Sequence, residues 1–125
     1  MNDNPTAGQR GTVLVVEDEA LIRLDLCTCL SEAGYSCIEK SSAEAAQTAM
    51  SVRSGNIRLL LTDVRLNGPM NGLELAAWTR RQYPDVRVVI TSGHTRAAEL
   101  QPFAHAAFEK PFDVRHLIKT IELLL

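Results

Sequence analysis

The chain has 125 residues, 46% of them hydrophobic, a length that buries one substantial core and not two. A formal net charge of -2 and a pI of about 5.9 supply no basic field for a phosphate backbone, which argues against direct nucleic-acid contact as the main activity. MNDNPTAGQRG lacks the apolar core of a signal peptide and no stretch approaches the roughly 18 apolar residues of a membrane span, so a soluble cytoplasmic protein without a membrane partner is expected.

Residues 1–11 are polar, carry Pro5, Gly8 and Gly11, and read as a mobile lead-in to one domain over 12–125. TVLVV, 12–16, is the continuous β-branched and aliphatic run expected of a strand covered on both faces, and it ends in the acidic cluster Glu17, Asp18, Glu19. From Ala20 the period becomes helical, with Ile22, Leu26, Cys29, Leu30 and Ala33 on one face and Gly34 as the stop. YSCIEK, 35–40, reads as a short strand; the helix after it opens on a capping-box pattern, Ser41 to Glu44, and stops near Gly55. IRLLLTD, 57–63, is the most apolar strand candidate, and Asn71 is placed to cap a helix through GLELAAWTRRQY that Pro84 ends. VRVVITS, 86–92, is a fourth buried strand, after which only about two helical turns fit before Pro102. HAAFEK, 105–110, gives a short fifth strand, and Asp113 caps a last helix in which Leu117, Ile121 and Leu124 recur at core spacing.

Strands alternating with helices five times predict a parallel sheet covered by helices on both faces. Ligands of such sheets collect beyond the C-terminal strand ends, where strand order reverses. The strand ends therefore belong together: Glu17 and Asp18 after the first, Asp63 after the third, Thr91 and Ser92 after the fourth, Lys110 after the fifth. Three carboxylates converging at one edge repel one another unless a cation neutralises them, and Mg²⁺ suits their hard oxygens. A lysine and a hydroxyl beside them complete the electrostatics that phosphoryl transfer to a carboxylate needs, with Asp63 on the middle strand as the candidate nucleophile.

In order and spacing, VVEDE, LLLTD, NGLEL, VVITSGH and EKPF resemble the receiver domain of two-component response regulators, over residues 12–125. The ligand-placement rule for doubly wound sheets is drawn partly from such folds, so its agreement here is not independent. The resemblance implies a flavodoxin-like five-stranded parallel sheet, order 2-1-3-4-5. It also implies a Mg²⁺-dependent phosphoacceptor, Asp63, charged by a sensor histidine kinase or a histidine phosphotransfer protein. On the same footing Asp18 matches the direct metal ligand, Glu17 the acid acting through a metal-bound water, and the carbonyl of Arg65 the third protein ligand. Lys110 matches the lysine that pairs with the acyl phosphate, before a proline, Pro111, at a position often cis in the family. Ser92 rather than Thr91 is taken as the hydroxyl drawn inward, because the small Gly93 follows it and Thr91 faces the other side of the strand. Such a domain is no enzyme beyond self-catalysed transfer and hydrolysis. It looks like a stand-alone receiver signalling to an unknown downstream protein by contact, with self-association into a homodimer left open.

Three departures from the family pattern are visible. The turn after Asp63 is one residue longer, with Asn67 where a proline is usual and Pro69 later. The segment from Ser92 to Lys110 is about four residues short, predicting a short or irregular fourth helix. The usual aromatic switch position aligns with Ala107, leaving Phe108 one place off.

Plainer readings stand beside these. Asp63 alone would be a turn or capping residue, Glu17 and Asp18 caps for the first helix, and Lys110 a solvated side chain before a proline. His94 reads as an exposed loop residue that, like Arg65, could modulate water access. Three cysteines, Cys27, Cys29 and Cys37, form neither an even disulfide set nor a zinc pattern and read as reduced fillers. Trp78 and Tyr83 read as packing residues. A phosphorylation-independent interaction module is the alternative from another class. A small phosphatase is weaker, since Arg65 stands where a second acid would serve as general acid.

Overall fold

The computed structural model describes residues 9–53 and 56–125. Among these the chain runs through strand β1 (Thr12–Val16), helix α1 (Ala20–Glu32), β2 (Ser36–Lys40), α2 (Ala43–Arg53), β3 (Ile57–Asp63) and α3 (Gly72–Gln82). It continues through β4 (Arg87–Ser92), a short α4 (Ala97–Leu100), a 3-10 turn (Gln101–Phe103), β5 (Ala106–Glu109) and α5 (Val114–Leu124). The strands form one parallel sheet, as the alternation predicts, in the order β2-β1-β3-β4-β5 that the resemblance implies.

The central strands read as unbroken apolar runs because both of their faces are covered. Leu14, Val16, Leu60, Val88 and Ile90 pack on one side against Ala43, Ala46 and Met50 of α2 and Leu75 and Ala76 of α3. Val13, Val15, Leu59, Leu61 and Val89 pack on the other against Leu26 and Leu30 of α1 and Leu117 and Ile121 of α5. Each such aliphatic side chain contributes ~1.5–3 kcal/mol over leaving it in water. The strands at the two edges are more polar, and β2 has no fully buried position.

Two details of the elements differ from expectation. Ser42, not Ser41, caps α2: its Oγ accepts the Ala45 amide at 3.2 Å and its carbonyl accepts the Ala46 amide at 3.1 Å. Glu44 therefore falls one position too early for a capping box. In α1 the buried thiol is Cys27 and not Cys29, because the face carrying Leu26 and Leu30 turns Cys27 toward the sheet. The cap at Asn71 is a full capping box with Glu74. Asp113 caps α5 through the Arg115 amide. Leu117 and Ile121 are buried and Leu124 is half-buried, while Leu123 of the apolar tail is exposed.

The shortened segment after β4 holds a one-turn α4 whose Leu100 is buried, followed by the 3-10 turn containing Pro102. The Lys110-Pro111 peptide is cis. Residues 1–8 of the expected lead-in and the helix stop at Gly55 lie outside the described residues. Arg10 is tied to the domain: its amide donates to the Gly34 carbonyl, and its guanidinium pairs with Glu122 and lies 5.9 Å over the Tyr35 ring.

His105 stitches β4 to the start of β5, because its Nδ1 accepts the Val88 amide at 2.9 Å. Burial, then the nearby charges of Arg80 and Arg87, hold the ring below its ordinary value of 6.5. A histidine with a depressed folded pKa binds more protons when unfolded, so its stabilising contribution is present above 6.5 and is lost as pH falls below it. Urea melts taken from neutral pH downward are expected to show this acidic loss, and His105→Asn to flatten it.

Candidate functional site

The sheet ladder extends one step beyond its strands at the C-terminal edge. The Glu17 amide donates to the Lys40 carbonyl at 3.1 Å, the Val64 amide to Thr91 at 3.0 Å, and the Lys110 amide to Ser92 at 2.8 Å. Side chains placed there inherit the rigidity of the sheet. Carboxylate oxygens of Glu17, Asp18 and Asp63 all lie within 4.8 Å of one another. The Lys110 ammonium donates to Asp63 Oδ2 at 3.0 Å and to Glu17 Oε2 at 3.1 Å. Three carboxylates against one ammonium leave a formal excess of two negative charges.

Glu17 is only 2% exposed and Asp63 8%. Burial, then the neighbouring charge of Asp63, push the Glu17 carboxyl above its ordinary value, against the Glu19 amide and Lys110. Burial pulls Lys110 down, but its hydrogen bonds and attraction to Asp63 and Glu17 outweigh that and leave it raised. The helix-cap reading of the acidic pair fails on geometry: Glu19 is the N-cap of α1 and makes no side-chain cap bond. The carboxylate that reaches back is Glu17, whose Oε1 accepts the Glu19 amide at 3.2 Å.

A cleft of about 280 Å³ opens over this cluster, lined by Asp18, Glu19, Asp63, Arg65, Gly93, His94 and Lys110. Arg65 and His94 stand exposed at it, while Glu17 lies beneath. Neither Thr91 nor Ser92 lines the cleft, and each is 2% exposed. Thr91 stands in register between Asp63 and Phe108. Ser92 Oγ accepts the amides of His94 at 3.1 Å and Thr95 at 2.9 Å, so it folds the loop that forms one wall. Phe108 packs into the α1/α5 side of the core, its ring 5.8 Å from Phe112 and 5.4 Å from His116, and Ala107 packs on the opposite side.

The donor set is entirely hard oxygen, buried in part, and more negative than its single lysine can balance; it fits a hard divalent cation such as Mg²⁺. A doubly wound α/β domain with an anionic, cation-seeking cleft at its topological switch point is thereby defined.

The sequence matches the family described as response regulator receiver domain over residues 13–122. It is 33% identical over 118 residues to the nitrogen assimilation regulatory protein NtrX of Azorhizobium caulinodans, covering 90% of this chain and 26% of that protein. The sensor kinase CckA of Brucella abortus is 30% identical over 118 residues, with 91% of this chain and 12% of that protein covered. The crystal structure of the receiver domain of NtrX from Brucella abortus superposes with a TM-score of 0.81 at 33% identity, covering 90% of this chain and 97% of that one. A receiver domain from Clostridium thermocellum, 20% identical and covering 91% of this chain and 93% of that one, shares the fold with a TM-score of 0.83. The chain belongs to the response regulator receiver domain family. It is thus a signalling domain of the two-component class, and receiver domains of this class are phosphorylated by histidine kinases. The chain spans about a quarter or less of the length of the curated relatives described above. Among the described residues no helix is long and apolar enough to cross a membrane.

Glu19, read from the sequence only as part of the acidic cluster, and Gly93, read only as the small residue after Ser92, both line the cleft. Gly72 matters more. A Cβ there would meet the Asp63 carbonyl oxygen at 1.8 Å, and its amide donates to the Val64 carbonyl at 2.8 Å. NGLEL by itself does not announce this demand, which arises only where the folded chain brings the start of α3 against Asp63. Gly72→Ala is expected to lower stability by at least ~2 kcal/mol despite alanine's better propensity, read as a drop in the midpoint of denaturant unfolding.

Proposed function

We propose that Asp63 is the phosphoacceptor of this receiver and that its charging is Mg²⁺-dependent. The observation that carries this reading is the meeting of Asp63 with Glu17, Asp18 and Lys110 at one rigid sheet edge. Glu17, Asp18 and Asp63, with the carbonyl of Arg65, would hold Mg²⁺, which when bound supplies positive charge against the oxygens of the transferred phosphoryl group. An oxygen of Asp63 forms the new bond to phosphorus while the phosphorus–nitrogen bond of a donor phosphohistidine breaks and its electron pair returns to the imidazole. Lys110, already hydrogen-bonded to Asp63, exchanges part of that contact for a phosphoryl oxygen. Water later returns the carboxylate, so the chain catalyses only its own loading and discharge. Arg65 and His94, exposed at the cleft, regulate the approach of that water.

Ser92 is the hydroxyl of the switch. Its Oγ accepts the amides of His94 and Thr95 and keeps its own proton free to donate; because Ser92 does not line the cleft, turning that hydroxyl toward a phosphoryl oxygen draws it away from the two amides, and the loop before α4 then moves. Output leaves through that loop, since Phe108 is locked in the opposite core and Ala107 offers no aromatic to rotate. The donor is a sensor histidine kinase or a histidine phosphotransfer protein, and the target is a protein that reads the β4–α4 surface.

Incubation with Mg²⁺ and acetyl phosphate is expected to give one phosphate adduct by intact mass, absent in Asp63→Asn. No adduct with any donor would overturn the proposal and leave a phosphorylation-independent module. Ser92→Ala is expected to load but to lose the loop response seen in amide exchange of residues 93–96, whereas Thr91→Ala keeps it.

Glu17 makes metal binding pH-dependent. With its carboxyl held above 4.5, it takes up a proton as pH falls toward that value, earlier than an ordinary glutamate does. Titration calorimetry is expected to show Mg²⁺ affinity declining as pH is lowered from neutrality, with proton release on binding, and Glu17→Gln to give weaker but less pH-sensitive binding.

A further inference from the structure

On the flank of the domain away from the acidic cleft, α1 and the edge strand β2 bring two thiols together. Cys27, 6% exposed, lies on the sheet-facing side of α1. Cys37 is half-buried on β2, beside Val13 of β1 in register. The Cys37 thiol donates to the backbone carbonyl of Cys27, its Sγ 3.8 Å from that oxygen. Both line one surface groove of about 460 Å³, together with Tyr35, Ser36 and Glu39. Two thiols on packed neighbouring elements, one of them reaching the backbone of the other's residue within a shared groove, are placed where a disulfide can close.

From this juxtaposition we infer that Cys27 and Cys37 form a peroxide-sensitive dithiol that closes to a reversible disulfide, stapling α1 to β2. The Cys27 sulfur attacks one peroxide oxygen; the O–O bond breaks, a first water leaves and Cys27 becomes a sulfenic acid. The Cys37 sulfur then attacks the Cys27 sulfur, the S–O bond breaks, and the sulfenic oxygen departs as a second water. The two thiols lose two electrons and two protons, and hydrogen peroxide is reduced to two waters. Interaction with Cys37 holds the Cys27 thiol below its ordinary value, while interaction with Cys27 and burial push Cys37 up, which favours Cys27 as the first nucleophile. Cys29 is excluded by helix geometry, standing about 200° around α1 from Cys27.

The staple continues a line of contacts that already joins these elements. One helical turn before Cys27, Arg23 reaches Glu39 of β2 at 3.3 Å and donates to the Glu17 backbone carbonyl at 2.7 Å. Closing the disulfide fixes α1 on the side from which Arg23 holds the acidic strand end.

The test uses the whole, fully reduced chain and stoichiometric hydrogen peroxide. Intact mass is expected to fall by two hydrogens, non-reducing peptide maps to show Cys27 joined to Cys37, and the oxidised chain to melt several degrees higher, all reversed by dithiothreitol. Cys29→Ser is expected to retain this behaviour and Cys37→Ser to abolish it. Oxygen addition without a crosslink, a crosslink through Cys29, or an unchanged mass under conditions that oxidise glutathione would each overturn the inference. The peptide map of the unaltered chain decides by itself should Cys37→Ser fail to fold.

Discussion

The contact on which this molecule turns is the bridge from Lys110 to both Asp63 and Glu17. It spans strands that are far apart in sequence, and it exists because β1, β3 and β5 end at the same edge of one parallel sheet. The bridge is incomplete by design of charge: a single ammonium faces three carboxylates, one of them almost wholly buried. A site so placed has two ways to lower its energy, by binding a proton or by binding a cation. The upward displacement of Glu17 is the mark of the first, and the hard-oxygen donor set is the opening for the second. A neutral or fully paired cluster would have no such appetite.

That edge was legible in the sequence because a doubly wound sheet makes strand ends equivalent. Once TVLVV, IRLLLTD, VRVVITS and HAAFEK read as strands, Glu17, Asp18, Asp63 and Lys110 had to meet, whatever the loops did. Apolar runs and caps at Asn71 and Asp113 carried the element order for the same reason: they depend on neighbours along the chain. What escaped was set by atoms distant in sequence or by single-residue phase. Ser42 takes the cap of α2 because the helix starts one residue later than the Ser41 pattern suggests. Cys27 replaces Cys29 in the core because two positions on a helix differ by about 200°, which a broad apolar stripe does not resolve. The demand for glycine at position 72 arises from Asp63, nine residues earlier, and only the folded chain shows that approach.

One departure from the family pattern, the short segment after β4, falls beside the cleft. With the segment after β4 cut short, α4 is a single turn, and the loop before it hangs on Ser92 Oγ through two amides. A four-residue helix anchored by one buried leucine has few packing contacts to hold it, and the loop that leads into it is held by Ser92. Phe108 packs with Phe112 and His116 on the opposite side of β5.

The lengthened turn after Asp63 has a different consequence. The hydrogen bond from the Gly72 amide to the Val64 carbonyl closes the loop at its base, immediately beyond the strand. The loop's excursion lies outside that closure, where Gly68 adopts a left-handed φ of 102° and comes close to Glu44 of α2. A bulky residue at 68 would be strained by the backbone alone, whereas one at 72 collides with the Asp63 carbonyl itself. The extra residue is therefore absorbed at the tip, and the frame around Asp63 is held by the base. Variation in the tip can retune what stands at the cleft mouth, Arg65 included, without moving the carboxylate on which the site is built.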